Sequence, residues 1–160
     1  MIDERVVQAL DALGVAYELM EIDPAFADTA ACCEKYGLPL ASAGNTILVA
    51  SKKEPRRFGA CVVTATTRLD VNHTVRALLG VAKVSFATAE ETKTLTGMMI
   101  GGVTIFALPE GLPIYVDESL MSCPYVILGG GSRSSKIKIT PEVFARFPGA
   151  RIIAGLAVGP

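Results

Sequence analysis

The stretch NTILVASKKEPRRFGACVVTAT, residues 45–66, contains two runs of β-branched and apolar residues, NTILVAS at 45–51 and FGACVVTAT at 58–66. The segment between them, KKEPRR, is charged and contains Pro55, which is typical of a surface turn rather than of a strand interior. The spacing therefore predicts an antiparallel β-hairpin, around which the remaining elements can be arranged.

Short helices and strands alternate on either side of this hairpin. The helices are predicted from capping residues and 3.6-residue periodicity, at 3–14, 28–37, 70–80, 88–97 and 140–147. The strands are predicted at 15–22, 83–87, 112–117, 125–130, 136–139 and 151–157. Most connections are too short for βαβ crossovers. We therefore expect an α+β fold: one compact domain over residues 1–160, in which short helices surround a mixed, mostly antiparallel, barrel-like sheet of about six or seven strands.

A further strand is predicted at 98–107, where two adjacent glycines, Gly101 and Gly102, interrupt the apolar run MMIGGVTIF at residues 98–106. Glycine weakens a strand because it has no side chain to pack and loses more chain entropy on folding. Two explanations are open at this stage. Either a strand bends sharply at a barrel corner, or another group approaches the backbone more closely than a β-carbon allows.

Composition excludes several classes of protein. Apolar residues make up 51% of the 160 residues and charged residues 19%, which is typical of a globular protein. The net charge is −1, so a nucleic-acid partner would have to be bound locally, at few phosphates. The charged N-terminus MIDERVVQAL argues against a secretory signal, and no apolar run reaches the roughly 18 residues that span a bilayer. We expect a cytoplasmic protein.

The cysteines and the single histidine form no recognisable metal or catalytic pattern. The four cysteines, at positions 32, 33, 61 and 123, include no CxxC pair, so we expect reduced thiols and neither a metal nor another cofactor. Any Ser-His-Asp or Cys-His set would need His73, which lies in a predicted helix and is better explained as a solvated residue. Cys32 and Cys33 are better explained as buried thiols.

The glycine-rich stretch GGGSRSSK, residues 129–136, has two interpretations. It does not match the P-loop pattern, because Ser134 stands where the second glycine is required and a strand follows instead of a helix. A hairpin turn is one explanation. The other is a phosphate site, in which Arg133 is flanked by serine hydroxyls and backed by Lys136. Asp117 and Asn45 are similarly open, since helix capping and turn chemistry could account for them.

Together these segments resemble the YbaK-type prolyl-tRNA editing family, which comprises free-standing aminoacyl-tRNA deacylases and the editing domain of bacterial prolyl-tRNA synthetases. The resemblance covers nearly the whole chain. It depends on the order and spacing of NTILVAS, TGMMIGGVT, LPIYVD and ILGGGSRSSKIKI. It implies hydrolysis of the ester that joins a wrong amino acid to the 3′-terminal adenosine of a tRNA, without a side-chain nucleophile.

The resemblance also implies roles for individual residues. Gly101 and Gly102 would let the backbone approach the ester carbonyl, and Thr104 and Asp117 would orient water or the ribose hydroxyls. Substrate binding would involve Asn45, Thr46, Gly130, Ser132 and Arg133, the first two at the ribose or adenine and the serine and arginine at terminal phosphates. The implied partners are the aminoacylated acceptor end of tRNA and, as a further option, an aminoacyl-tRNA synthetase, with no membrane.

The chain departs from the family pattern at two places. Asn45 stands where the family usually has a lysine, and Thr104-Ile105 replaces the frequent Ser-Pro after the paired glycines. Three hypotheses therefore stand. The first is a hydrolase that clears small amino acids (Cys, Ala or Ser) from mischarged tRNA, for example tRNA-Pro. The second is a non-catalytic module that binds a tRNA 3′ end, a nucleotide or a metabolite. The third is a structural barrel with a protein partner.

Overall fold

The computed structural model describes residues 2–159. The α-helices are α1 (Glu4–Leu13), α2 (Thr29–Tyr36), α3 (Arg76–Leu79), α4 (Ala89–Thr96) and α5 (Glu142–Arg146). The first five strands are β1 (Tyr17–Glu21), β2 (Gly44–Ser51), β3 (Phe58–Thr64), β4 (Arg68–Leu69) and β5 (Val84–Phe86). The other five are β6 (Ile114–Asp117), β7 (Val126–Gly129), β8 (Ser135–Ile139), β9 (Ala150–Ile153) and β10 (Ala157–Val158).

The hairpin predicted at 45–66 is the centre of the largest sheet. Strands β2 and β3 pair antiparallel, with Asn45 opposite Val63 and Val49 opposite Gly59. The five-stranded sheet has the order β5-β2-β3-β6-β9, in which β6 is parallel to both neighbours. A three-stranded antiparallel sheet, β1-β8-β7, and the short pair β10-β4 complete the set. The α+β fold with a mixed, mostly antiparallel arrangement is confirmed, although the strands form three sheets and no closed barrel over residues 2–159.

Both faces of the five-stranded sheet are buried. Alternate residues of its central strands, such as Leu48 and Val62, face a core shared with the three-stranded sheet, α1 and α5. The intervening residues, such as Val49 and Val63, face a second core beneath α3 and the turn before it. Successive residues of β2 and β3 therefore place apolar side chains on both faces of the sheet, as is usual for central strands.

Three predicted elements differ in the structure. The run at 98–107 is not a strand: residues 99–102 form a turn, and Ile105–Ala107 form a 3-10 helix. The last strand, predicted at 151–157, is divided into β9 and β10, with Gly155 at φ +73° between them. The helix at 70–80 begins with a π-helical turn, Val71–Val75, before α3.

One feature of the sheet leaves room for a site. Strand β2 is eight residues long, but β5 pairs only with its last three residues, opposite Phe86, Ser85 and Val84. On that edge no described strand pairs with residues 44–48, and α2 and the loop 99–103 stand beside it instead. No helix within residues 2–159 is long and apolar enough to span a membrane.

Candidate active site

The two glycine-rich stretches pack against each other, backbone to backbone. The amide of Gly131 donates to the carbonyl of Gly102 at 2.8 Å. A β-carbon on Gly102 would lie 2.6 Å from the carbonyl carbon of Ser132, and one on Gly129 would lie 2.4 Å from the carbonyl oxygen of Val103. Of the two explanations left open for Gly102, close approach of another backbone is therefore correct, and the backbone belongs to the second glycine-rich stretch.

Gly101 has a further reason to be glycine. Its φ is +96°, a conformation that residues with a β-carbon rarely adopt. A β-carbon there would also lie 2.5 Å from Nη1 of Arg133. Since Gly101 lines a cavity and Gly102 is buried beneath it, the paired glycines separate into two roles: Gly101 at the surface of the site, and Gly102 in its support.

Arg133 holds the loop that carries Gly101. Its Nη1 donates to the carbonyl of Ile100 at 2.6 Å, and its Nη2 donates to the carbonyl of Pro24 at 3.0 Å. The same Nη1 lies 3.4 Å from a carboxylate oxygen of Asp28. Because the carbonyl and the following N–H of a trans peptide point in opposite directions, fixing the Ile100 carbonyl on Arg133 turns the Gly101 N–H away from the guanidinium.

Lys136 brings a buried ammonium group to the same loop from β8. The residue is 6% exposed, and its Nζ donates to the carbonyl of Gly101 at 2.8 Å. Burial lowers the pKa of Lys136, an effect that the neighbouring Cys32 and Asp28 partly oppose. The carbonyls on both sides of the Gly101 N–H are thus held by cationic donors, Arg133 before it and Lys136 after it.

A cavity of about 510 Å³ opens between the start of α2, the unpaired edge of β2 and the loop 99–103. This first cavity lies within the size range of small-molecule sites in proteins. Its walls include Asp28, Thr29, Asn45, Thr46 and Gly101. A recess of about 60 Å³ shares most of these residues and is also lined by Lys136 and Gly129.

Asn45 and Thr46 lie in the wall of the first cavity, on β2. The hydroxyl of Thr29, the first residue of α2, donates a hydrogen bond to Oδ1 of Asn45. This contact fixes the side-chain amide and leaves its Nδ2 as a donor of two hydrogens at the cavity. Asp28, the cap residue of α2, makes no side-chain cap hydrogen bond, and among residues 2–159 it is the only ionisable residue that lines the first cavity.

The structure places two of the expected catalytic residues away from this wall. Asp117 caps the 3-10 helix Glu118–Ser122: its carboxylate accepts from the Ser119 amide at 3.2 Å and from the Ala157 amide at 3.1 Å. Thr104 is completely buried, and its hydroxyl has no hydrogen-bond partner within residues 2–159. Neither residue is among those that line the first cavity or its recess.

Gly130 and Ser132 belong to the turn between β7 and β8, so the hairpin interpretation of GGGSRSSK is confirmed. The Gly130 carbonyl accepts from the Asp3 amide at 3.1 Å, which joins this turn to the start of α1. The Ser132 hydroxyl lies 2.9 Å from that of Ser135. Of the two residues, Ser132 stands against the 99–103 loop, because its backbone packs opposite Gly102. The predicted part of Gly130 in substrate binding and of Ser132 at the terminal phosphates stays a prediction.

The side chains that could serve as nucleophiles lie elsewhere or are unsuited to that role. Burial raises the pKa of the Cys32 and Cys33 thiols. His73 lies beside a different cavity, with Nδ1 3.1 Å from a carboxylate oxygen of Asp70. Over residues 2–159, no three His, Cys, Asp or Glu side chains are grouped so as to hold a metal ion. The first cavity therefore offers a backbone N–H, a side-chain amide, hydroxyl groups and the Asp28 carboxylate, and the adjoining recess adds the Lys136 ammonium.

A comparison with known protein families identifies the family of the chain. The model of the aminoacyl-tRNA editing domain matches residues 23–147, from before α2 to the end of α5. The chain belongs to the aminoacyl-tRNA editing domain family. The matched range of the editing domain includes every residue that lines the first cavity.

Solved structures show the same fold. One is a protein proposed to be a trans-editing enzyme for prolyl-tRNA synthetase, with 26% identity, a TM-score of 0.81, and coverage of 97% of this chain and 96% of that one. Another is the hypothetical protein APE2540, with 26% identity, a TM-score of 0.86, and coverage of 97% and 100%. A third is a protein from Marinobacter aquaeolei VT8 that is proposed to act in signal transduction. It shares the fold over 31% of its own length, with 17% identity and a TM-score of 0.67.

Proposed function

We propose that this editing domain deacylates mischarged tRNA in trans, with the aminoacyl ester of the terminal adenosine bound in the first cavity. The observation that carries the proposal is the N–H of Gly101. It forms no hydrogen bond within residues 2–159, lies at the cavity wall, and is held between two carbonyls that Arg133 and Lys136 fix. A backbone N–H held in advance of the reaction is the kind of group that stabilises a developing oxyanion.

The proposed reaction is hydrolysis of a carboxylic ester. Water attacks the carbonyl carbon, and the negative charge that develops on the carbonyl oxygen is stabilised by the Gly101 N–H. The bond between the acyl carbon and the ribose oxygen then breaks, the ribose oxygen takes up a proton, and the free amino acid leaves. Since the first cavity is lined by no histidine or cysteine, the vicinal hydroxyl of the ribose is the proposed aid to water activation.

Asn45 and Thr46 are the proposed contacts to the terminal ribose or adenine. The Nδ2 hydrogens of Asn45 are available because its Oδ1 accepts from Thr29. The position lacks a charge, but the ammonium of Lys136 stands in the adjoining recess. A small amino acid of the Cys, Ala or Ser class is proposed as the one released, since apolar walls such as Ile100 and Val103 limit the space beside Gly101.

Thr104 and Asp117 enter this proposal as supporting residues of the fold, because both are buried outside the first cavity. Arg133 enters as a positioning residue, since both of its terminal nitrogens donate to backbone carbonyls. Docking on an aminoacyl-tRNA synthetase remains part of the proposal, and the relative proposed to serve prolyl-tRNA synthetase supports it.

A panel of mischarged and correctly charged tRNAs tests this function. We expect the purified protein to release alanine, serine or cysteine from at least one mischarged tRNA, and to leave correctly charged tRNA-Pro intact. Tight binding of the same tRNAs without release would instead support the non-catalytic module. In that case Asn45→Lys is the informative variant, because gain of deacylation would identify the missing charge as the reason for inactivity.

A further inference from the structure

A second, larger cavity adjoins the first on the other side of the β2 edge. Its volume is about 740 Å³. Its floor is apolar, formed by residues such as Val63 and Leu69 of the second core. Its rim is polar and includes Arg68, Asn72 and His73. Nothing in the proposed hydrolysis uses this space.

The two cavities meet at Phe86, the last residue of β5. Both are lined by Phe86, Asn45 and Ile47. The side chain of Phe86 is unusual for an aromatic residue of a strand, because the residue is 58% exposed. An elongated ligand whose end occupies the first cavity can therefore cross Phe86 and continue into the second.

The rim of the second cavity has the groups that bind a sugar-phosphate backbone. The guanidinium of Arg68 forms no hydrogen bond or ion pair with any residue from 2 to 159, so its donors are available. The His73 side chain is 83% exposed and is held by the Asp70 carboxylate. That carboxylate also accepts from the Thr74 hydroxyl at 2.8 Å, so the acidic group of the rim is already engaged by two partners.

We propose that the second cavity binds the unpaired nucleotides that precede the terminal adenosine of the tRNA, with a base stacked on Phe86 and a phosphate bound by Arg68. This inference rests on the proposed function, because the same tRNA end must place its aminoacyl ester in the first cavity. An exposed aromatic ring and an unpaired guanidinium that line the same cavity are a common combination in sites for single-stranded nucleic acid. A single phosphate contact at Arg68 also agrees with the net charge of −1, because a protein without an overall positive charge must bind phosphates through individual basic residues.

Two stable probes separate the two cavities experimentally. The first is 3′-alanylamido-3′-deoxyadenosine, which represents the terminal nucleoside alone and cannot be hydrolysed as an ester. The second carries the same nucleoside at the 3′ end of the RNA tetranucleotide ACCA. The dissociation constants of both are measured by calorimetry for the intact protein and for Phe86→Ala and Arg68→Ala.

We expect the tetranucleotide to bind the unmodified protein at least roughly 10-fold more tightly than the nucleoside, from base stacking. Each variant should weaken tetranucleotide binding by about 10-fold. Arg68 lines the second cavity and not the first, so Arg68→Ala should leave nucleoside binding unchanged. Phe86 lines both cavities, so Phe86→Ala should weaken tetranucleotide binding more than nucleoside binding. In Arg68→Ala, the slope of log affinity against log salt should also become smaller by about 0.7, the value for one phosphate of a single strand. Leu19→Ala and Arg146→Ala, exposed residues on β1 and α5, are the matched controls and should bind like the unmodified protein.

Two results would overturn the inference, and they differ in what they mean for the proposed function. If both probes bind but Phe86→Ala and Arg68→Ala keep the full advantage of the tetranucleotide, the second cavity is not the nucleotide path, while the proposed function stands. If the unmodified protein binds neither probe, the proposed function fails together with the inference.

Discussion

Lys136→Met tests most directly whether the buried ammonium serves the site or the fold. Methionine has a similar length and no charge, so it fills the same space but cannot donate to the Gly101 carbonyl, which Lys136 holds at 2.8 Å. A hydrogen bond from a charged group contributes about 1.5–3 kcal/mol to stability. The substitution also removes the desolvation penalty of the buried charge, which is several kcal/mol. The lost hydrogen bond and the removed penalty therefore largely offset each other.

We therefore expect the free energy of unfolding of Lys136→Met to stay within about 1 kcal/mol of the original or to rise. For a chain of this size, that corresponds to a change in Tm of about 2–4 °C. The deacylation rate should respond differently. Loss of one complete oxyanion donor costs roughly 100- to 1,000-fold in rate. Because Arg133 still holds the Ile100 carbonyl, the variant loosens the Gly101 N–H rather than removing it, and we expect a fall of about 10- to 100-fold.

The pH dependence of the comparison follows from the lowered pKa of Lys136. In the folded protein this pKa lies below the ordinary 10.5, so the cost of burying the charge is fully present at pH values below the folded pKa. That cost declines as pH rises between the folded and the unfolded pKa. The stability advantage of Lys136→Met should shrink over the same range, and so should the rate advantage of the original protein, because neutral lysine carries no charge to the loop.

The assay is release of alanine from alanyl-tRNA-Pro, followed from pH 6 to 10 and corrected for spontaneous hydrolysis. Circular dichroism during heating gives the Tm of each protein. Lys136→Arg, which keeps a charge, is the matched control and should retain more activity than Lys136→Met. The reasoning is refuted if Lys136→Met is folded and deacylates within about twofold of the original, since the ammonium would then have no part in holding Gly101.

Three further substitutions separate support of the fold from chemistry. Thr104→Val keeps the shape of the side chain but removes a buried hydroxyl without a partner, so urea denaturation should show a gain of about 1 kcal/mol, and loss of deacylation in this folded variant would instead make Thr104 catalytic. Asp117→Ala removes a helix cap and the acceptor of the Ala157 amide, so we expect a loss of about 1–3 kcal/mol with the remaining folded protein still active; an inactive but fully stable variant would contradict this. Gly102→Ala would bring a β-carbon to 2.6 Å from the Ser132 backbone, and we expect a loss of about 1–3 kcal/mol by thermal unfolding together with reduced activity; unchanged stability would show that the packing of the two loops is not rigid.

The fold follows from sequence signals that act over short distances. The helix caps at Asp3 and Thr88 and the glycine ends of α1 and α2 depend on residues within one helical turn. The β2–β3 hairpin depends on two neighbouring runs that a short charged turn joins. The run at 98–107 was predicted wrongly as a strand for the same reason. Its apolar residues indicate burial but not the partner that buries them, and here the partner is another loop.

The candidate site could be predicted only in part. Asn45, Thr46 and Gly101 do lie in one cavity, and the resemblance to the editing family is what indicated them. The sequence predicts only a helix start at Asp28 and Thr29, because nothing in it shows that α2 begins beside the open edge of β2. The sequence predicts Lys136 only as support for Arg133, since a lysine in KIKI has the same local pattern whether it faces solvent or a recess.

The sequence by itself determined the family, the short elements and the presence of glycine at two separated stretches, because the motifs, the caps and the periodicity that carry these signals are local in the chain. Only the tertiary structure decided what the glycines are for. Gly102 and Gly129 are 27 positions apart in the chain, yet each gives room to the backbone of the other's loop. The physical reason is that a β-carbon is excluded by whatever stands opposite it, and that neighbour exists only once the two loops have folded together.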